Sequence, residues 1–130
     1  AVADRLEDFK PFRAVYGNID DKIVRTTYPL NLFFEVEKLS VFMTHIGGYP
    51  PKYNMRTRDL IKANPPRIFI CGHSHILKVM WDKPLGLLHM NPGACGKHGF
   101  HQMRTMLRFV INDEEIKDLE IIELGKRGRV

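Results

Sequence analysis

Cysteine is scarce in this chain of 130 residues: Cys71 and Cys95 are the only two, and they do not stand at C-x-x-C spacing. Two thiols so placed exclude a disulfide framework and a cysteine-ligated zinc ribbon, and they suit a reducing, cytoplasmic setting. No stretch approaches the ~18 apolar residues that a membrane-spanning helix needs, and no basic-then-apolar leader opens the chain. A soluble protein without a membrane partner is expected. Repeats and low-complexity tracts are also missing, and the length suits one domain. Charge of one sign barely dominates: Lys and Arg number 20 against 15 Asp and Glu, a net charge of +5. Part of that excess sits in Lys126, Arg127 and Arg129, so residues 125–130 read as a basic tail after a domain at 1–124. So mild a surplus suits acidic partners, from nucleic acid to a small phosphate ester, but reads first as a solvated surface. Trp81 with Lys78 and Lys83 comes with no RNP-like or helix-turn-helix pattern.

What is present alternates between helix and strand signals. Val2, Leu6 and Phe9 recur at i, i+4 and i+7, an amphipathic helix already under way at the first residue, and Pro11 stops it. That start reads as the later part of a longer chain. Phe12 to Tyr16 is expected as a strand feeding a Gly17-Asn18 turn, and Ile19 to Tyr28 as a polar loop. Leu30, Leu32, Phe34 and Val36 alternate as one face of a strand, with a return strand at Leu39 to Thr44. A short helix follows from Arg56 to Ala63, ended by Asn64-Pro65-Pro66. Arg67 to Cys71 is a near-continuous apolar run of the kind buried on both faces. Leu77 to Trp81 and Leu87 to Met90 flank Lys83-Pro84-Leu85-Gly86 as a hairpin. Thr105 to Ile111 and Leu119 to Leu124 flank an acidic turn at Asn112 to Glu115. The class is α/β.

Three of these strands end in polar, glycine-containing turns, where open α/β sheets place their ligands. Gly72-His73-Ser74-His75 sets two imidazoles two residues apart just after the buried strand. His45 ends another strand beside Gly47 and Gly48, and Asn18 offers a neutral amide oxygen. Neutral imidazole suits zinc, iron and, alongside oxygen donors, manganese. Other residues weigh less. Gly93-Ala94-Cys95-Gly96-Lys97 fails the P-loop pattern in spacing and in its final hydroxyl. His89 alternates within a strand and reads as structural, Cys71 reads as packing, and His98 and His101 read as surface more than as lining of a site.

Gly17-Asn18-Ile19-Asp20, Thr44-His45-Ile46-Gly47, Gly72-His73-Ser74-His75 and Asn91-Pro92-Gly93, in that order, resemble the motifs of the calcineurin-like metallophosphoesterases. The small bacterial and archaeal phosphodiesterase branch, the YfcE type, is the most similar. The resemblance implies a two-sheet α/β sandwich, α-β-β-α in layers, with two divalent metal ions at the strand ends. It makes Asn18, His45 and His73 ligands of one ion, His75 a ligand of the other, and Asp20 a brace for the turn behind them. Gly17, Gly47 and Gly72 would line the substrate. The nucleophile would be a metal-held water or hydroxide, the ions Mn²⁺ first, with Ni²⁺, Zn²⁺ or Fe²⁺ as alternatives.

Two departures bear on function. The family's opening Asp-x-His and Gly-Asp motifs, which supply the bridging aspartate, do not occur upstream of Asn18, so the fold is expected to be N-terminally incomplete and His75 a lone donor. Ile19 stands where many relatives carry a histidine that protonates the leaving group, which favours small phosphodiesters with good leaving groups. The competing reading is a non-catalytic scaffold of the same fold, like the retromer subunit, which shares Gly-His-Thr-His-like and Asn-Pro-Gly turns. Asn18 and His45 favour the enzyme. A homo-oligomer fits either.

Overall fold

The computed structural model describes residues 2–128, so Arg129 of the expected tail lies outside the described residues. Chain order is α1 (Val2–Phe9), α2 (Lys22–Thr27), β1 (Asn31–Val36), β2 (Leu39–Thr44), β3 (Gly48–Tyr49), β4 (Lys52–Tyr53), α3 (Met55–Ala63), β5 (Ile68–Ile70), β6 (Lys78–Asp82), β7 (Leu87–Asn91), β8 (Met103–Asn112) and β9 (Glu115–Lys126). Five strands form one mixed sheet in the order β1-β2-β5-β7-β6. Its centre is parallel, with Val41 opposite Ile68 and Ile68 opposite Leu88, and each edge is an antiparallel hairpin arm. Parallel strands share a carboxyl end, so the turns after β2 and β5 open on the same side.

Side chains that alternate across the pleat divide the core in two. On one face Phe42 and Phe69 pack with Tyr53 and with Ile61 of α3. On the other, Leu39, Val41, Ile68 and Met90 pack against Leu107, Phe109, Ile111 and Ile116 of the β8-β9 ribbon. The sandwich is therefore helix on sheet on sheet, its second sheet being the two-stranded β8-β9 ribbon. α1 buries none of its residues, and Val2 and Phe9 are each 75% exposed. No helix among the described residues is long and apolar enough to cross a membrane.

Several local expectations are corrected. Phe12 to Tyr16 forms no strand: among the described residues Tyr16 N–H to the Pro29 carbonyl, 3.1 Å, is its one backbone bond, and a ladder needs a neighbour. Inside the expected loop Ile19 to Tyr28 lies α2. Asp21 caps it by accepting the Val24 N–H at 3.0 Å, and Thr27 donates its hydroxyl back to the Ile23 carbonyl at 2.8 Å. A six-residue helix rich in β-branched residues carries little periodic signal, so capping alone announces it. The last strand starts at Glu115 rather than Leu119, continuing straight from the tight Asp113-Glu114 turn. It also runs through Gly125 and Lys126, so the first two residues of the expected tail are strand.

Candidate metal centre

The site is assembled from three turns at the carboxyl side of the sheet. After β2 comes His45, and after β5 comes Gly72, whose N–H donates to the His45 carbonyl at 2.8 Å and ties the two turns together. Asn18 enters from a third turn. There the Asp20 carboxylate accepts the Gly17 N–H, and Arg25 clamps the loop by donating to the Asp20 and Asn18 carbonyls, each at 2.8 Å. The Arg25 guanidinium in turn rests on the Tyr16 ring, 5.1 Å from its centroid.

These turns bring three side chains to one point. The carboxamide oxygen of Asn18 lies 2.9 Å from His45 Nε2 and 3.1 Å from His73 Nδ1. The two imidazoles meet edge to face, centroids 5.2 Å apart. Gly17 makes room for this packing, since a Cβ there would stand 3.1 Å from His45 Nε2. Gly47 has a different reason to be glycine: a Cβ would come within 2.6 Å of Phe69 in the core. It and Gly72 border a cleft of about 320 Å³ beside His73 and Ser74, while Gly17 borders a second pocket described below.

His75 does not join this trio. Its ring lies edge to face with His101, centroids 5.1 Å apart, so the structure brings His101 to the site's margin, contrary to its reading as surface. Both His73 (φ 71°) and His75 (φ 62°) occupy the left-handed region, which costs a residue with a Cβ of order 1–3 kcal/mol and persists only under outside constraint. Asn91, wholly buried at the end of β7, supplies that constraint. Its Nδ2 lies within hydrogen-bond distance of the Gly72 carbonyl (3.1 Å), Ser74 Oγ (3.2 Å) and Tyr49 Oη (3.2 Å), and its Oδ1 accepts the Gly93 N–H at 3.0 Å. Tyr49 also contacts Ser74 Oγ directly. The Asn-Pro-Gly motif thus staples the histidine turn; Tyr49, Arg25 and Arg56 carried no sequence signal.

Electrostatically His45 and His75 resist protonation. Burial lowers the pKa of His45, and the neighbouring His73 lowers it further against the opposing pull of Asp20. His75 is lowered by burial first, then by His101 and His73. Elsewhere burial pushes the Cys71 thiol up to about 12, so it is a core residue and no nucleophile. His89, wholly buried among Tyr49, Tyr53 and Phe69, sits away from the trio.

Among the described residues no three His, Cys, Asp or Glu side chains gather as a metal-holding group; the cluster is two imidazoles and one carboxamide. Those three neutral donors fit a divalent cation once each imidazole carries its proton on the other ring nitrogen. They leave positions for further ligands.

A mixed sheet thus lies between a helix and a ribbon, with this trio at its strand ends. The calcineurin-like phosphoesterase superfamily domain matches residues 1–114, and the chain belongs to that superfamily. Curated proteins give no match. Among solved structures it resembles a predicted phosphoesterase from Streptococcus pneumoniae, 23% identical with a TM-score of 0.65, covering 85% of this chain and 62% of that one. It also resembles Vps29 of Entamoeba histolytica complexed with Zn²⁺, 15% identical, TM-score 0.64, covering 89% and 69%. An archaeal phosphodiesterase is similar as well, 21% identical, TM-score 0.60, covering 85% and 67%. At these identities the likenesses establish the fold.

Proposed function

We propose that this chain carries half of the active centre of a divalent-metal-dependent phosphodiesterase, with Asn18, His45 and His73 as the ligands of one cation. The observation that carries the reading is the convergence of one carboxamide oxygen and two ring nitrogens from three separate turns. A bound cation supplies Lewis acidity toward a phosphoryl oxygen. The chain's own residues do the rest. The neutral donors leave the cation's charge undiminished for an anionic ester. Asp20 and Arg25 hold the Asn18 turn, and Asn91 holds the histidine turn. Ile19, 92% exposed beside Asn18, offers no proton to a leaving group, which favours diesters whose leaving group departs unassisted. His75, apart from the trio, is assigned to a second cation together with ligands from outside this cluster.

The scaffold reading keeps one specific support, the likeness to Vps29, a structure complexed with Zn²⁺. Metal binding alone therefore does not separate the two readings, and hydrolysis must be measured beside it. Calorimetric titration with Mn²⁺ and with Zn²⁺ is expected to give one weak site, abolished by His73→Ala and His45→Ala and untouched by His89→Ala. Bis(p-nitrophenyl) phosphate is expected to be cleaved little or not at all by this chain in excess Mn²⁺, and to be cleaved, in preference to p-nitrophenyl phosphate, once the family's Asp-x-His and Gly-Asp motifs are supplied upstream. Equal losses of binding from His73→Ala and His89→Ala would sink the ligand assignment. Binding without any turnover, even in the chain supplied with those motifs, would favour the scaffold.

A further inference from the structure

Next to the trio lies a pocket of about 250 Å³ whose wall joins Asn18 and His45 to Tyr16, Leu30, Arg25 and Arg56. It is smaller than the ~300–1,000 Å³ of a complete small-molecule site, a size for one arm of a substrate whose centre lies outside it. Two guanidiniums line it, from α2 and from the first turn of α3. Both are held. Arg25 donates from Nε and Nη2 to backbone carbonyls, and Arg56 donates from Nη1 to Asn31 Oδ1 at 2.8 Å and from Nη2 to Thr44 Oγ1 at 3.4 Å. Every one of those acceptors is a neutral oxygen. Among the described residues neither arginine has a carboxylate partner, and the nearby Asp20 carboxylate is turned to the Gly17 amide.

A guanidinium has five N–H donors, so each arginine keeps three for something else, together with its full charge. Ordinary surface arginines are mobile and solvated. These two share one concavity, are fixed by hydrogen bonds, and stand beside Tyr16 and Leu30, which offer apolar contact to a carbon skeleton. A planar, pre-oriented fork is suited to carboxylate or phosphate oxygens. We infer that this pocket receives the second arm of the substrate, and that Arg25 and Arg56 select an arm bearing an anionic group of its own, phosphate or carboxylate. The inference rests on the phosphodiesterase reading and names its substrate class: a diester with a further anion a few bonds from the reacting phosphorus.

The test uses this chain in metal-free buffer, so that chelation plays no part. Backbone amide and arginine Nε–H NMR resonances are followed during titration with methylphosphonate, methylenediphosphonate and phosphonoacetate. Methylenediphosphonate is expected to bind at least tenfold more tightly than methylphosphonate, shifting the Nε–H signals of Arg25 and Arg56. Phosphonoacetate distinguishes the two anions: parity with the diphosphonate assigns a carboxylate-tolerant pocket, and parity with methylphosphonate assigns a second phosphate. Arg56→Gln and Arg25→Gln should each erase the preference, and Arg56→Lys should restore part of it. Arg67→Gln, whose guanidinium lies over Trp81, is the charge control and should leave the preference intact. Diphosphonate and methylphosphonate affinities within twofold of each other, or an equal loss in Arg67→Gln, would overturn the inference. Mn²⁺ titration of the unmodified chain reads the phosphodiesterase proposal separately. Selectivity without a metal site defeats that proposal alone, and a metal site with turnover but without selectivity defeats the pocket alone.

Discussion

The Asp20 carboxylate receives the Gly17 N–H at 2.6 Å and closes the turn that presents Asn18 to the two imidazoles. Asp20→Ala leaves a partly buried amide without its acceptor. The expected cost is about 1–3 kcal/mol in urea unfolding, and Zn²⁺ affinity should fall roughly 10- to 100-fold because the ligand is no longer oriented. Asp20→Asn keeps an acceptor oxygen and should retain most of both. An Asp20→Ala protein that unfolds and titrates like the parent removes Asp20 from the site's support.

His89 yields a pH prediction. It is wholly buried, neither ring nitrogen has a hydrogen-bond partner among the described residues, and burial first, then the Lys78 charge, lowers its pKa to about 4. In the unfolded chain the imidazole titrates near ~6.5, so between these values the unfolded state binds more protons and stability declines as pH falls. The contribution is complete above that upper value and gone below the lower one. His89→Phe places a ring of similar size among Tyr49, Tyr53 and Phe69 and removes the unpaired polar atoms. It should gain about 1 kcal/mol near neutral pH, and more as acid is added. Melting curves of the two proteins that stay parallel from neutral to acid pH would contradict the account.

The strand ends were legible in the sequence because the alternation of Leu30 to Val36 and the apolar run Arg67 to Cys71 both mark burial against a sheet, and the polar turns follow directly. Asn18, His45 and His73 each stand in one of these turns, and the resemblance grouped them; the fold brings both imidazoles within hydrogen-bond distance of the Asn18 carboxamide. α2 was hidden because none of its residues is buried, so no periodic apolar face reveals it. Arg25 and Arg56 were hidden for another reason. An arginine on a short helix reads as solvated surface until tertiary structure shows what its guanidinium touches. The partnership of His75 with His101 spans 26 residues of chain, and nothing local in sequence encodes it.

That partnership depends on Gly99. Its φ of 131° is one that a residue with a Cβ rarely adopts, and a Cβ there would stand within 3.0 Å of the Nδ1 atoms of both His75 and His101. Gly99→Ala should therefore cost about 1–3 kcal/mol and shift the imidazole ¹⁵N resonances of His75 and His101 while sparing those of His45 and His73. Uniform shifts across all four rings would mean that the two histidine groups form one unit, against the separation described here.

Asn91 gives the most demanding case, because its side chain is the one constraint that reaches Gly72, Ser74, Tyr49 and Gly93 together. With His73 and His75 both left-handed, the turn stays in place only while those bonds outweigh the backbone cost. Asn91→Ala deletes donor and acceptor at a wholly buried position, so a loss of about 2–4 kcal/mol is expected. Asn91→Asp preserves the acceptor for the Gly93 N–H but not the donors, and should recover only the Gly93 end. Amide hydrogen exchange separates the two: the Gly72, Ser74 and Ile76 amides should exchange faster in both variants, and Gly93 faster in Asn91→Ala alone. Zn²⁺ affinity should drop in both, since His73 is then free to leave the left-handed region and turn from Asn18. If Asn91→Asp binds Zn²⁺ as tightly as the parent, the histidine turn is held by something other than the Asn91 amide.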